Sequence, residues 1–230
     1  MIKMFPTEDD LVSAFKHKSK MFLQTVCNRS VSRHFIIPEF DSYTGVADLI
    51  LGTYRPYLSK KNNREIVNLN WLFPLTNFEE GQIFTVQEFM EKYNFSKSSA
   101  RLKLKEYIDA GFLQKLDNRS FEVIRKYNLI CDEVIAVEAK LKNWKRALTQ
   151  AIRYKKISDY SFVLLDESYA SSALSNIELF NHHNIGLITM NKSKFVIHTS
   201  PEKKNIKKAE YFIRVNEAAY GYFSMTECAS

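Results

Sequence analysis

Cysteine is scarce in this chain: Cys27, Cys131 and Cys228 lie far apart, without the density of a disulfide framework or the paired spacing of a zinc site. A disulfide-stapled scaffold and a zinc finger are therefore excluded, and three reduced thiols are expected. Glycine and proline are also few, six and five, which excludes a collagen-like or low-complexity chain. No run approaches the ~18 apolar residues that a membrane helix needs. The opening MIKMFPTEDD lacks the apolar core of a signal peptide, so a cytoplasmic protein with no membrane partner is expected. Acidic residues are the minority charge, 26 against 33 Lys and Arg, leaving a formal +7. That excess favours a polyanionic partner, because clustered cations release counterions from phosphates on binding.

What is present is the material of a compact fold: 230 residues, 45% of them hydrophobic and 26% charged, enough for one core plus a small second module. Thr7 to Gln24 carries Leu11, Phe15 and Phe22 at helical spacing behind a Thr7/Asp10 capping pair, which predicts one amphipathic helix. HFIIPEF and VADLILG, separated by the turn-prone Asp41 to Gly45, predict two strands. EVIAVEAK, a helix from Asn143 to Ile157, SFVLLD, a helix from Ser168 to His182, GLITM and KFVIHTS then alternate as in an α/β sheet. His182 and His183 read as a plain helix end, since neither has a partner at metal-ligand spacing.

Between these parts the pattern changes to three helical segments, Glu65 to Leu75, Thr85 to Tyr93 and Ser96 to Ala110, followed by FLQKLDNRSFEVI, two short strands about an Asp-Asn-Arg turn. The tight connection at Asn94 to Ser96 resembles a helix-turn-helix, and the following hairpin resembles the wing of a winged-helix domain. The resemblance implies a DNA-binding face of Lys97, Ser98, Arg101 and Lys105, with Arg119 at the wing tip and Leu102, Leu104 and Ile108 in the core. A winged helix used only for protein contacts is the bland alternative. Boundaries of 1–63, 64–127 and 128–230 follow, the middle segment being an insertion into one sheet domain.

Basic residues also gather from Ala139 to Lys156, where seven occur (Lys140, Lys142, Lys145, Arg146, Arg153, Lys155, Lys156) and no acidic one. A solvated helix face is the ordinary fate of such a run. Within VEAK, however, Glu138 and Lys140 project to one side of an apolar strand, and a carboxylate and an ammonium beside such a run must pair or meet a metal. An acidic strand residue, Asp48 in GVADLIL, followed by Glu-x-Lys at another strand's end, resembles the PD-(D/E)XK nuclease superfamily. Gln150 and Tyr154 in ALTQAIRY are similar to the Gln-x-x-x-Tyr motif of several of its branches. Two departures stand out: Ala47 replaces the family's Pro, and the inserted module separates Asp48 from Glu138.

The resemblance implies a restriction-endonuclease-like mixed sheet flanked by helices, with an inserted winged helix, acting as a metal-dependent DNA endonuclease. Asp48, Glu138 and the Ala139 carbonyl would hold Mg2+ or Mn2+, hard cations that prefer oxygen. Lys140 and Gln150 complete the catalytic set, with Arg146, Arg153, Tyr154 and Glu8 as substrate-positioning residues. Glu8 also simply suits a helix N-terminus. Double-stranded DNA is the expected partner. A homodimer is expected because cutting both strands needs two sites or two events. The alternative is a non-catalytic DNA-binding protein on a nuclease-like scaffold, and metal chemistry at phosphorus leaves RNA cleavage open.

Overall fold

The computed structural model describes residues 4–55, 64–204 and 210–227. It divides into two compact units, Met1–Pro56 with Cys131–Val215, and Tyr57–Ile130 with Asn216–Ser230.

In the first unit, α1 (Glu8–Lys16) starts at Thr7, whose side chain accepts from the Asp10 amide while Asp10 answers the Thr7 backbone, satisfying two of the orphan donors at a helix start. The expected single helix to Gln24 is in fact two, since the chain turns at His17–Lys18 before α2 (Ser19–Cys27). The turn lets Phe15 and Phe22 meet edge-to-face, with ring centroids 5.0 Å apart.

Six strands follow: β1 (His34–Asp41), β2 (Val46–Tyr54), β6 (Cys131–Lys140), β7 (Tyr160–Asp166), β8 (Gly186–Met190) and β9 (Phe195–Thr199), side by side in that order. β6, β7 and β8 are mutually parallel, and the remaining pairings are antiparallel, so the sheet is mixed. The numbers β3 to β5 belong to the second unit.

Period-two alternation sends Leu49, Leu51, Ile135, Val137, Phe162 and Leu164 to the face covered by α1 and α2, where Phe15, Phe22 and Leu23 pack against them. The alternate residues Val163, Leu165 and Leu187 meet Trp144, Ala147, Leu148 and Ala151 of α5 (Trp144–Tyr154) on the other face. Burial of each large side chain contributes about 2 kcal/mol.

The expected helix from Ser168 to His182 is broken into a 3-10 turn at Glu167–Tyr169, α6 (Ser171–Leu174) and α7 (Ile177–His183). Ser175 and Asn176 bond back to the carbonyls of Ser171 and Ser172, which diverts the chain from a continuous helix. His182 and His183 close α7.

The second unit holds β3 (Ile83–Thr85), α3 (Val86–Tyr93), α4 (Lys97–Asp109), β4 (Leu113–Lys115) and β5 (Ser120–Val123), with the strands ordered β3-β5-β4 and all antiparallel. Asn94, at φ 53°, makes the left-handed turn between α3 and α4. No α-helix forms over Glu65–Leu75. Asn68 caps a turn by accepting from the Asn70 amide, and Pro74 opens a 3-10 segment, Phe73–Asn77.

α4 buries Ala100, Lys103, Leu104 and Tyr107, so the expected core residue Leu102 is instead 58% exposed, one position off that stripe. Lys103 packs its ammonium over the Trp71 and Phe95 rings. A further helix, α8 (Glu210–Glu227), ends the described chain, and the division between units falls within it. In the second unit Glu217, fully buried, accepts from Arg64, Tyr127 and the Val67 amide. These long-range bonds account for a unit that takes in the chain's end, which the local pattern of 64–127 does not reveal. Among the described residues no helix is long and apolar enough to cross a membrane.

Candidate active site

The register of the sheet does the first part of the assembly. Leu49 pairs with Val137 across β2 and β6, so one step further along Asp48 comes beside Glu138, ninety positions away in the chain. Both residues fall on the α5 face, opposite to Leu49 and Val137, because side chains alternate. Asp48 Oδ2 accepts from the Ala139 amide at 2.7 Å, which fixes its carboxylate against the end of β6.

Lys140, two residues beyond Glu138, returns its ammonium to the same point. Its Nζ donates to the Ala139 carbonyl at 2.7 Å and to Glu8 Oε2 at 3.1 Å. It also lies 3.0 Å from Glu138 Oε1 and 3.6 Å from Asp48 Oδ2. The Glu138 carboxylate is 1% exposed, and its Oε1 meets the Lys140 ammonium as an ion pair, with no other hydrogen-bond donor. Its other oxygen, Oε2, accepts from the Tyr154 hydroxyl at 2.8 Å. The same hydroxyl lies 2.6 Å from the Val46 carbonyl, so one proton serves two acceptors.

Burial raises the Glu138 and Asp48 pKa values above the usual carboxylate range. Asp48 adds to the rise of Glu138, and Glu8 to that of Asp48; Lys140 opposes both. For Lys140 burial disfavours the ammonium, but Asp48, Glu138 and Glu8 outweigh it and the pKa rises, so the amine stays protonated.

Tyr154, expected at the substrate, is fully buried and its hydroxyl donates to Glu138. The signal for this is in the sequence: Ala147, Ala151 and Tyr154 share the apolar helical spacing i, i+4, i+7. Gln150 lies on the flank of that stripe, half-buried, with Oε1 buried and unpartnered. Arg146 and Arg153 are exposed on the outer face of α5. The structure thus gathers Glu8, Asp48, Glu138, Ala139, Lys140 and Tyr154 at one point and leaves the two arginines at the solvent side of the helix.

Hard-cation chemistry fits this donor set. Asp48 Oδ2, Glu138 Oε1 and the Ala139 carbonyl are oxygens that lie 3.6, 3.0 and 2.7 Å from one cation, the Lys140 ammonium. Among the described residues no group of three or more His, Cys, Asp or Glu side chains is placed to hold a metal ion. Mg2+ requires none, since it commonly binds through one or two carboxylates and keeps several waters.

In the second unit Lys97, Ser98, Arg101, Lys105 and Arg119 are all exposed. Arg101 and Lys105 line a groove of about 440 Å3 between α4 and the β4–β5 hairpin, together with Lys115 and Asn118, which the sequence reading did not single out. Asp117 holds the hairpin turn by accepting from the Arg119 and Ser120 amides.

No family model matches the chain, and no curated protein matches it. A search of solved structures found a protein of unknown function from Silicibacter pomeroyi, 14% identical, with a TM-score of 0.31 over 43% of this chain. The match spans 64% of that protein's length, and at this TM-score the likeness carries no argument about fold or function.

Proposed function

We propose that this chain is a Mg2+- or Mn2+-dependent endonuclease acting on DNA phosphodiesters, built on a restriction-endonuclease-like sheet with an inserted winged helix. The observation that carries this reading is the convergence of Asp48, Glu138, the Ala139 carbonyl and Lys140 at the end of one buried strand. A structural ion pair alone would not require it, because removing charges from water is costly and one ammonium faces three carboxylates there.

In this reading Asp48, Glu138 and the Ala139 carbonyl hold the cation, which when bound supplies Lewis acidity toward the phosphate and toward water. Tyr154 holds Glu138 by one oxygen and leaves the other for the cation. The Lys140 ammonium offsets negative charge developing on the phosphate oxygens, the role that a fixed donor performs best where water is excluded. Gln150, half-buried on α5, and Arg146 and Arg153, exposed on the same helix, would position the substrate backbone. Glu8 pairs with Lys140 and fixes its approach.

Lys97, Ser98, Arg101, Lys105 and Arg119 supply duplex affinity through phosphate and groove contacts. A homodimer would provide one site for each strand. The test is incubation of the full chain with Mg2+ or Mn2+ and plain, methylated, branched and single-stranded DNAs, with RNA as a further substrate. Cleavage is expected on DNA and is expected to be lost in Asp48→Ala and Lys140→Ala. Cleavage that persists in both variants refutes the site. Tight DNA binding without turnover on any substrate points to a non-catalytic DNA-binding protein.

A further inference from the structure

Four oxygens surround the Lys140 ammonium: the Ala139 carbonyl at 2.7 Å, Glu138 Oε1 at 3.0 Å, Glu8 Oε2 at 3.1 Å and Asp48 Oδ2 at 3.6 Å. Three of these belong to the groups that would hold a divalent cation. One of them, Glu138 Oε1, is buried, and the ammonium is its one close partner. Three carboxylates facing one ammonium leave an excess of negative charge that a single positive charge cannot offset. The cluster therefore holds a monovalent cation where three carboxylates would suit a divalent one.

We propose that the Lys140 ammonium is a placeholder: it occupies the cation position in the metal-free protein and leaves that position when a divalent cation binds. The inference rests on the reading of this site as a divalent-cation centre. Two cations cannot share the same oxygens at contact distance, because their repulsion is weakly screened in a buried pocket. The ammonium is the one that moves, since it sits on a flexible four-carbon stem, whereas Glu138 is held by Tyr154 and Asp48 by the Ala139 amide.

The open side of the cluster is lined by Glu8, 46% exposed, and Asp48, 30% exposed, and a displaced ammonium would turn toward it. A scissile phosphate must arrive from that side too. Lys140 thus becomes available to the phosphate only after the cation is in place, and in its absence the carboxylate cluster keeps the ammonium withdrawn.

The test follows the amine itself, by mass-spectrometric quantification of acetylation at Lys140 in the full-length protein with and without Mn2+ at matched ionic strength. Modification of Lys140 is expected to accelerate several-fold on saturation with Mn2+, while the exposed neighbours Lys142 and Lys145 are unchanged. A second measurement is direct Mn2+ binding by electron paramagnetic resonance. With the competing ammonium removed, Lys140→Met is expected to bind about 10-fold more tightly, because apparent affinity rises as the competent fraction does. Lys20→Ala, which removes an exposed cation outside the cluster, is expected to change affinity much less.

If Mn2+ binds the wild-type protein and Glu138→Gln abolishes that binding, yet Lys140 acetylation does not change, the placeholder is overturned and the cation centre survives. Equal or weaker binding by Lys140→Met has the same meaning. If Mn2+ binding is absent, or is indifferent to Asp48→Asn and Glu138→Gln, the cation centre itself is wrong and this inference falls with it.

Discussion

Replacing Tyr154 by Phe removes one oxygen atom and nothing else, and the structure assigns that oxygen a specific function. The Tyr154 ring is fully buried and would remain in place, so no cavity forms. What is lost is the single proton shared between Glu138 Oε2 at 2.8 Å and the Val46 carbonyl at 2.6 Å. A hydrogen bond to a charged acceptor contributes about 1.5–3 kcal/mol, and a buried acceptor left unpaired costs a similar amount. Glu138 Oε1 has the Lys140 ammonium as its one close partner, so after the substitution the carboxylate depends on Lys140 alone. A destabilisation of about 2.5 kcal/mol is expected, which lowers the urea midpoint by about 1 M.

The chain has two tryptophans, Trp71 in the second unit and Trp144 in the first, so a Trp71→Phe background makes Trp144 the fluorescence reporter of the unit that holds the site. Urea unfolding followed at Trp144 then reads the effect. A loss below roughly 0.5 kcal/mol, the range of an ordinary surface substitution, would show that the hydroxyl does not satisfy these acceptors and that Glu138 is positioned by something else.

Protons compete with a divalent cation for Asp48 and Glu138, and burial holds both pKa values above the usual carboxylate range. Mn2+ affinity measured by calorimetry should therefore begin to weaken, as the solution is acidified, at a higher pH than for exposed carboxylates; a flat profile would contradict the burial argument. Gly52→Ala would drive its new methyl into the Glu133 backbone carbonyl and the Phe35 ring, and should cost about 3 kcal/mol in chemical denaturation. Glu217→Ala leaves the buried Arg64 without its bidentate partner and should destabilise the second unit by about 4 kcal/mol, read at Trp71 in a Trp144→Phe background. Arg101→Ala and Lys105→Ala should each reduce the slope of log affinity for duplex DNA against log salt by about 0.9, and an unchanged slope would remove α4 from the interface.

Much of this protein is legible along the chain because the relevant forces are local. Period-two alternation in VADLILG and EVIAVEAK identifies the central strands and puts Glu138 and Lys140 on one side. Capping chemistry at Thr7, Thr85 and Ser96 marks three helix starts. The same local rules fail where short polar side chains and proline divert the backbone, as at Asn68 to Pro74 and at Ser171 to Asn176. Tertiary structure alone decides the rest. Only the antiparallel register of β2 against β6 brings Asp48 to Glu138 across ninety positions, only burial turns Tyr154 from a surface contact into the support of a carboxylate, and only the fold places Glu8 against Lys140. Alternation tells which face a side chain takes. Which charges meet there, and at what desolvation cost, depends on which distant strands and helices are packed together.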